Sequence, residues 1–402
     1  CFMKRLIIIA TNAIIFSLIP ILCWFGLGIL VDKNLVNVFS ITYPLQFIYS
    51  FIKSLFGTGA NICKEKNQNS NETLSGMTLG IIFGFFVFGL FLLNVKSYLS
   101  FMNVDYEIYK EFTVYSIILL YIHSIFALVL EKLYFEGKEK IASKYCIQMN
   151  CLNFLVLMIS ALIFKNKWCI VLVTLLITFV YILFVTCKQY QKFHLEFHIG
   201  QYIRYNSVEL VDNILFFLIF FFGISNASSF GTEYMAALNF VALITDCQWD
   251  SFDAIQTVAN IDISQGKFNY KEHIKNAYKL LIILLSSVFL MFLLLYHSYS
   301  LNMKLVFIYF GFEFVNFAMY PIYRIRTCYL QLEYSSIKTT VNKTIASVFR
   351  FILSLLPTPF CTGVGQVCSS IYQFLSINMM FRKNFKVDNL GNITLKEGEK
   401  LL

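Results

Sequence analysis

The chain has 402 residues, of which 58% are hydrophobic and 14% charged, with a formal net charge of +9 and a mean hydropathy of +0.68. Soluble domains are closer to roughly 45–50% apolar and about 25% charged. The composition therefore excludes a soluble enzyme or nucleic-acid-binding module and leaves a polytopic membrane protein.

A helix that crosses a hydrocarbon core of about 30 Å needs roughly 20 apolar residues. Twelve such runs are predicted in chain order, at 6–31, 35–60, 74–95, 111–135, 141–164, 168–187, 205–226, 231–257, 273–296, 304–329, 337–356 and 361–380. No connection is long enough for an extramembrane domain; the longest surrounds "CKQYQKFHLEFHIGQYIRYN". The alternating ten-residue pattern of barrel strands is not found.

Lys and Arg set the orientation. With the N-terminus inside, the cytoplasmic loops carry residues such as Lys64, Lys132, Lys138, Lys188, Arg204, Lys267, Lys338 and Arg382. The outer loops carry only Lys33, Lys96, Lys110, Lys165, Lys167 and Lys304. This asymmetry places both termini in the cytoplasm and accounts for most of the positive charge. The eleven cysteines are scattered without a CxxC pair and read as small packing residues. Cys1 opens the chain without a preceding Met, as a truncated N-terminus would; a lipidated Cys1 is the alternative.

Two stretches repeat a unit. "EKLYFEGKEKIASKYCIQMNCLNFLV" (131–156) and "RTCYLQLEYSSIKTTVNKTIASVFRFIL" (326–353) each join two spans through a Lys-bearing link. Residues 31–66 and 230–267 form a second pair, each a long span ending in a small and basic turn. Six spans followed by six, both halves starting inside, make a parallel repeat, which commonly builds two bundles with a solute site between them.

Three segments carry a family likeness: "GLGILVDKNLVNVFSITYPLQ", "FGTGANICKEKN" and "YEIYKEFTVYSIILLYIHSIFALVLEKLYFEGKEK". In this order they resemble the first half of a MATE-type (multidrug and toxic compound extrusion) transporter. "SVELVDNILFFLIFFFGISNASSFGTEYMAALNFVALI" resembles its seventh and eighth helices. The resemblance implies an all-α membrane protein with twelve transmembrane helices in two pseudo-symmetric six-helix bundles around a central cavity. The lobes would be 1–187 and 207–402, joined by a cytoplasmic segment at 188–206. It also implies a cation-coupled antiporter, not an enzyme, that exports small organic compounds of cationic or amphipathic type. H⁺ or Na⁺ would be the coupling ion, with no other cofactor. The expected partners are the small-molecule substrate and the lipid bilayer, with no nucleic acid. The chain is expected to act as a multi-pass monomer in the plasma membrane. A flippase for a lipid-linked oligosaccharide or polysaccharide, from the same superfamily, is the alternative.

By that resemblance, Asp32 stands where the family binds its coupling cation, Asn153 matches an Asn of the fifth helix, and Glu209 matches an acid of the seventh. Leu157 replaces the carboxylate expected one turn after Asn153. Near Ile322, where an acid often stands, this chain has Glu313 earlier and Arg324 and Arg326 later.

The residues themselves add a second group. Asp212 lies about one turn from Glu209. Asp246, Asp250 and Asp253 fall within an arc of roughly 60° on a helix, since each residue turns ~100°. A mid-membrane carboxylate costs about 2.5–3.5 kcal/mol, so such a row faces a cavity or a partner, with Gln256 beside it. Five carboxylates would then converge in the C-terminal lobe, sharing protons or a cation. The other reading is that span eight ends early and leaves Asp250 and Asp253 in a wet turn. Asp32 is equally readable as a helix-end residue paired at the surface with Lys33. Lys53, Arg324 and Arg326 read as snorkelling or as pairing with the acids; Arg350 is open to either. His194 and His198 flank Glu196 at metal-ligand spacing, but the segment is basic and juxtamembrane and reads as solvated. There is no GxxxxGK[ST] and no nucleophile constellation.

Overall fold

A computed structural model describes residues 2–32, 35, 37–68, 71–102, 104–190, 195–228, 230, 232–296 and 302–396. The side chains of Asp246 and Asp250 and the whole of His194 lie outside the described residues. Packing divides the chain into two compact units, Ile15–Ile203 and a second formed by Cys1–Ile14 with Arg204–Leu402. The first turns of the opening helix thus belong with the later half of the chain. A buried-end ion pair explains this, since Arg5 Nη1 lies 3.0 Å from Asp262 Oδ1.

The first unit contains most of α1 (Phe2–Leu30), then α2 (Asn37–Ile52), which runs through a π-helical stretch, Lys53–Gly59, into α3 (Ala60–Asn67). It continues with α4 (Glu72–Leu93), the short α5 (Val95–Phe101), α6 (Tyr106–Phe135), α7 (Glu139–Ile163) and α8 (Lys167–Gln189). The second unit contains α9 (Ile199–Ser228), whose first turns still belong to the first unit, then α10 (Thr232–Ser264), α11 (Tyr270–Tyr296), α12 (Met303–Glu333), α13 (Ser336–Ser354) and α14 (Cys361–Asn384). Each of the twelve predicted runs falls on a helix. Seven of the described helices (α1, α4, α6, α7, α8, α9 and α12) are long and apolar enough to cross a membrane. Phe85, Phe86 and Leu90 of α4, and Leu172, Leu176 and Phe184 of α8, are exposed apolar residues of the kind that faces lipid.

Local chemistry sets the helix ends. Asp105 caps α6 by accepting from the Glu107 N–H at 2.8 Å, and Asn166 caps α8 by accepting from the Trp168 N–H at 2.9 Å. α10 stops at Gly266, whose φ of +67° favours glycine. There the Lys267 N–H reaches the Asp262 carbonyl at 2.7 Å and the Gly266 N–H reaches Ile263 at 3.1 Å, closing the last turn. The stretches 131–156 and 326–353 each contain a short turn between two helices, α6–α7 and α12–α13. α10 continues past Asp253 to Ser264, so Asp253 lies within a helix and not in a turn.

α6 packs on α2, α4 and α8, and α12 packs on α10, α14 and α13, so each unit is organised around one central helix. At Gly365 of α14 a Cβ would lie 2.9 Å from the Arg350 carbonyl, so glycine is what lets α13 and α14 approach. A two-stranded antiparallel hairpin, β1 (Phe385–Val387) and β2 (Ile393–Leu395), follows α14 and was not expected. It rests on the α10–α11 turn, where Tyr270 N–H donates to the Gly391 carbonyl at 3.0 Å and Asn269 Nδ2 donates to the Leu390 carbonyl at 2.9 Å.

Candidate functional site

Four charged side chains meet inside the second unit. α9 breaks its helical geometry at Asn206 (φ −132°, ψ 21°), and the segment beyond the kink presents Glu209 and Asp212 inward. Arg324 of α12 is 4% exposed. Its Nη2 donates to Glu209 Oε2 and to Gln256 Oε1 of α10, and its Nη1 lies 3.5 Å from Asp212 Oδ2. Lys343 of α13 is 6% exposed, with Nζ 2.7 Å from Asp212 Oδ2 and 2.9 Å from Gln373 Oε1 of α14. Ser347 Oγ donates to Asp212 Oδ1 at 3.3 Å. Five helices therefore contribute to one network of two carboxylates and two cations.

Its neighbours are aromatic and polar. The Arg324 guanidinium lies over the Tyr320 ring at 5.7 Å, and Tyr320 stacks on Phe252 at 5.3 Å. Trp249 packs on Phe317 at 4.9 Å and donates from Nε1 to Glu313 Oε2 at 2.9 Å; Gln366 Nε2 donates to the same oxygen at 3.0 Å. Arg350 sits over the Phe216 ring at 4.5 Å.

Of the five carboxylates expected to converge, Glu209 and Asp212 come together here, while the side chains of Asp246 and Asp250 lie outside the described residues. Among the described residues Glu209 and Asp212 are met by two bases, Arg324 and Lys343. Arg324 does not snorkel: it is buried and paired, because two acids and an amide occupy its donors. Lys343 was missed by sequence reasoning. The available signal was a Lys at the middle of a predicted span, where an ionisable group is by default a functional candidate. Gln256 joins the network as expected of a cavity-lining residue, whereas Asp253, one turn earlier on the same helix, is exposed.

In the first unit the predicted residues stand apart. Asp32 ends α1 half-exposed, 3.7 Å from Lys167 Nζ at the start of α8. That is a surface pairing with Lys167; Lys33, the partner expected from the sequence, lies outside the described residues. Asn153 is buried in α7, where its Oδ1 accepts from Tyr115 Oη at 3.1 Å and Thr178 Oγ1 at 3.3 Å. Lys53 pairs with Glu131, Nζ to Oε1 3.6 Å, as the pairing reading expected. Glu131 is fully buried, and Thr58 Oγ1 donates to its Oε2 at 3.2 Å. Both Lys53 and Thr58 come from the π-helical stretch, a geometry frequent at functional sites. The nine described cysteines are free thiols.

The sequence matches no protein-family model and no curated protein. The helical architecture just described is nevertheless a known one. The chain has the fold of the MATE transporters of the MOP superfamily. A MATE structure in complex with MaD3S superposes with a TM-score of 0.71 at 16% identity, covering 94% of this chain and 96% of that one. An outward-facing multidrug resistance MATE transporter gives 0.70 at 17% identity, again covering 94% and 96%. A MOP superfamily transporter from Pyrococcus furiosus, described as having a binding pocket of reversed polarity that suggests a different function, gives 0.68 at 16% identity, also covering 94% and 96%.

Proposed function

We propose that the chain is a secondary transporter that exchanges H⁺ or Na⁺ for a small organic compound, cationic or amphipathic, across a plasma membrane with both termini cytoplasmic. The single observation that carries this reading is the buried network of Glu209, Asp212, Arg324 and Lys343 within a MATE fold. A buried ion pair is a costly way to stabilise a protein, because desolvation consumes most of the Coulomb gain. Four such groups in one place are better explained by exchange of partners. A proton or Na⁺ arriving at Glu209 or Asp212 competes with Arg324 and Lys343 for the same oxygens. Occupancy by the ion therefore favours a conformation in which α12 and α13 are held less tightly to α9. The ion drives transport to the extent that it binds the two conformations differently. The aromatic surroundings, Tyr320, Phe252 and Trp249, suit a flat cation through its attraction to ring faces.

The test is efflux from proteoliposomes loaded with a fluorescent organic cation, under an imposed pH or Na⁺ gradient. Asp212→Asn keeps the side-chain shape and removes the exchangeable charge. Gradient-driven efflux is expected to fall at least tenfold, with the protein still in the membrane. Unchanged efflux would remove the network from coupling. The second reading, a flippase for a lipid-linked saccharide, is favoured by the three buried cations Arg324, Lys343 and Arg350, which suit an anionic headgroup. Translocation of a fluorescent polyprenyl-phosphate-linked sugar, with no gradient-driven efflux of the organic cation, would select it.

A further inference from the structure

Three metal-ligand side chains meet in the first unit, and transport makes no use of them. Glu72 lies in the first turn of α4 and is 1% exposed. Glu196 and His198 lie in the extended stretch that leads into α9. His198 Nδ1 stands 2.8 Å from Glu72 Oε1 and 3.7 Å from Glu196 Oε2. One donor atom from each of the three residues lies within 4.8 Å of the other two. We propose that Glu72, Glu196 and His198 form a binding site for one divalent transition-metal ion of the Zn²⁺ or Mn²⁺ type.

The geometry supports this in three ways. Ligands bonded at about 2.0–2.2 Å to a single ion sit roughly 3.0–3.4 Å from one another, and the observed separations from His198 bracket that spacing. Only small side-chain rotations are needed to close the set around an ion. Second, the buried ligand is already oriented. Tyr202 Oη donates to Glu72 Oε2 at 2.7 Å, which turns the other oxygen toward His198. An outer hydrogen bond of this kind, fixing the orientation of a ligating carboxylate, is a regular companion of metal ligands. Third, the segment carrying the other two ligands is fastened beside α4. Ser75 Oγ accepts from the Glu196 N–H at 2.8 Å and donates to the Glu196 carbonyl at 2.5 Å.

The donor set narrows the ion. One imidazole with two carboxylates suits Zn²⁺ or Mn²⁺, whereas Ca²⁺ and Mg²⁺ take oxygen ligands throughout. His198 is 42% and Glu196 33% exposed at the side chain, so the site is open to solvent on one side and has an entry path. Water would complete the coordination there. Only Glu72 belongs to a helix of the bundle; the other two ligands belong to the link between the predicted halves. An ion at this point would therefore staple the link to α4.

The experiment uses the full chain in detergent, stripped with a chelator and titrated with Zn²⁺ against a chromophoric competitor. Wild type is expected to take up one equivalent that His198→Ala weakens at least 100-fold. Tyr202→Phe, which leaves all three ligands in place, should weaken it about 10–100-fold. Zn²⁺ should raise the melting temperature of wild type and leave that of His198→Ala unchanged. Glu72 is not chosen for the primary variant because its burial couples it to folding. Failure of wild type to bind an equivalent overturns the proposal. So does equal affinity in His198→Ala, which would assign the metal to other groups such as the free thiols. Both readouts are of metal and not of transport, so the result stands whatever the substrate proves to be.

Discussion

The two units bury polarity in different ways. In the second, Glu209 and Asp212 are matched by Arg324 and Lys343 across five helices. In the first, the buried centre of α7 is neutral: Asn153 takes hydrogen bonds from Tyr115 and Thr178, and Leu157 follows one turn later. One charged pair of that unit, Lys53 with Glu131, has its lysine partly exposed. A buried neutral amide or hydroxyl left without its partner costs about 1–3 kcal/mol, less than an orphaned charge. An orphaned carboxylate must be solvated, neutralised or ejected. The two interiors should therefore respond differently to the loss of one partner, the network of the second unit more strongly than the hydrogen bonds around Asn153.

The sharpest way to break this contrast is to remove one cation. Arg324→Met leaves Glu209 and Asp212 buried with half their compensation and should cost about 3–5 kcal/mol, read as a large fall in melting temperature in detergent. Adding Glu209→Met in the same chain should recover most of that loss, because the pair is then removed together. A single variant that melts with the wild type would mean that the network is already solvated, and the contrast would collapse. Next in size is Asn153→Ala in the first unit. It strands the hydroxyls of Tyr115 and Thr178 and should cost about 1–3 kcal/mol. A loss equal to that of Arg324→Met would erase the distinction between neutral and charged interiors.

The smallest effect lies outside both interiors, in the C-terminal hairpin. The Asp388 carboxylate accepts from the Asn392 side chain and from the backbone N–H groups of Leu390 and Asn392, which hold its pKa below the ordinary Asp value. A group with a depressed folded-state pKa contributes stability above its unfolded value, and that contribution is lost as pH falls through the folded value. The protection of the 385–395 amides, taken relative to their intrinsic exchange rates, should therefore fall as acid protonates Asp388 in wild type. Asp388→Asn should be less protected at neutral pH and show no acid step.

Most of the helical scaffold was legible because lipid demands long apolar runs, and the structure places a helix on each one. What the sequence hid were partnerships between distant residues. Glu209 and Asp212 were found as acids in a span, but their cations arrive 112 to 131 positions later. Arg324 was read as snorkelling or as pairing with the acids, but Lys343 was not considered, so the second cation of the network stayed invisible. Residues 1–14 joined the later unit through Arg5 and Asp262, a pairing that hydropathy cannot signal. The hairpin was missed because strands of three residues are too short to show alternation, although "DNLGN" between them carries a clear turn composition. Glu72 was not connected with His198 because 126 residues separate them.

Lys343 has a further consequence, for how the protein is made. α13 carries Lys338, Lys343 and Arg350 in 19 residues and is not among the helices apolar enough to cross a membrane by composition. Lys343 and Arg350 lie seven positions apart, on one face, and each costs about 2.5–3.5 kcal/mol at the centre of a bilayer without a partner. The partner of Lys343 is Asp212, on a helix synthesised more than a hundred residues earlier. α13 is thus a poor candidate to leave the translocon alone. If α13 spans the membrane, its insertion is expected to depend on α9, and Asp212→Asn should lower its integration even though the substitution lies on another helix.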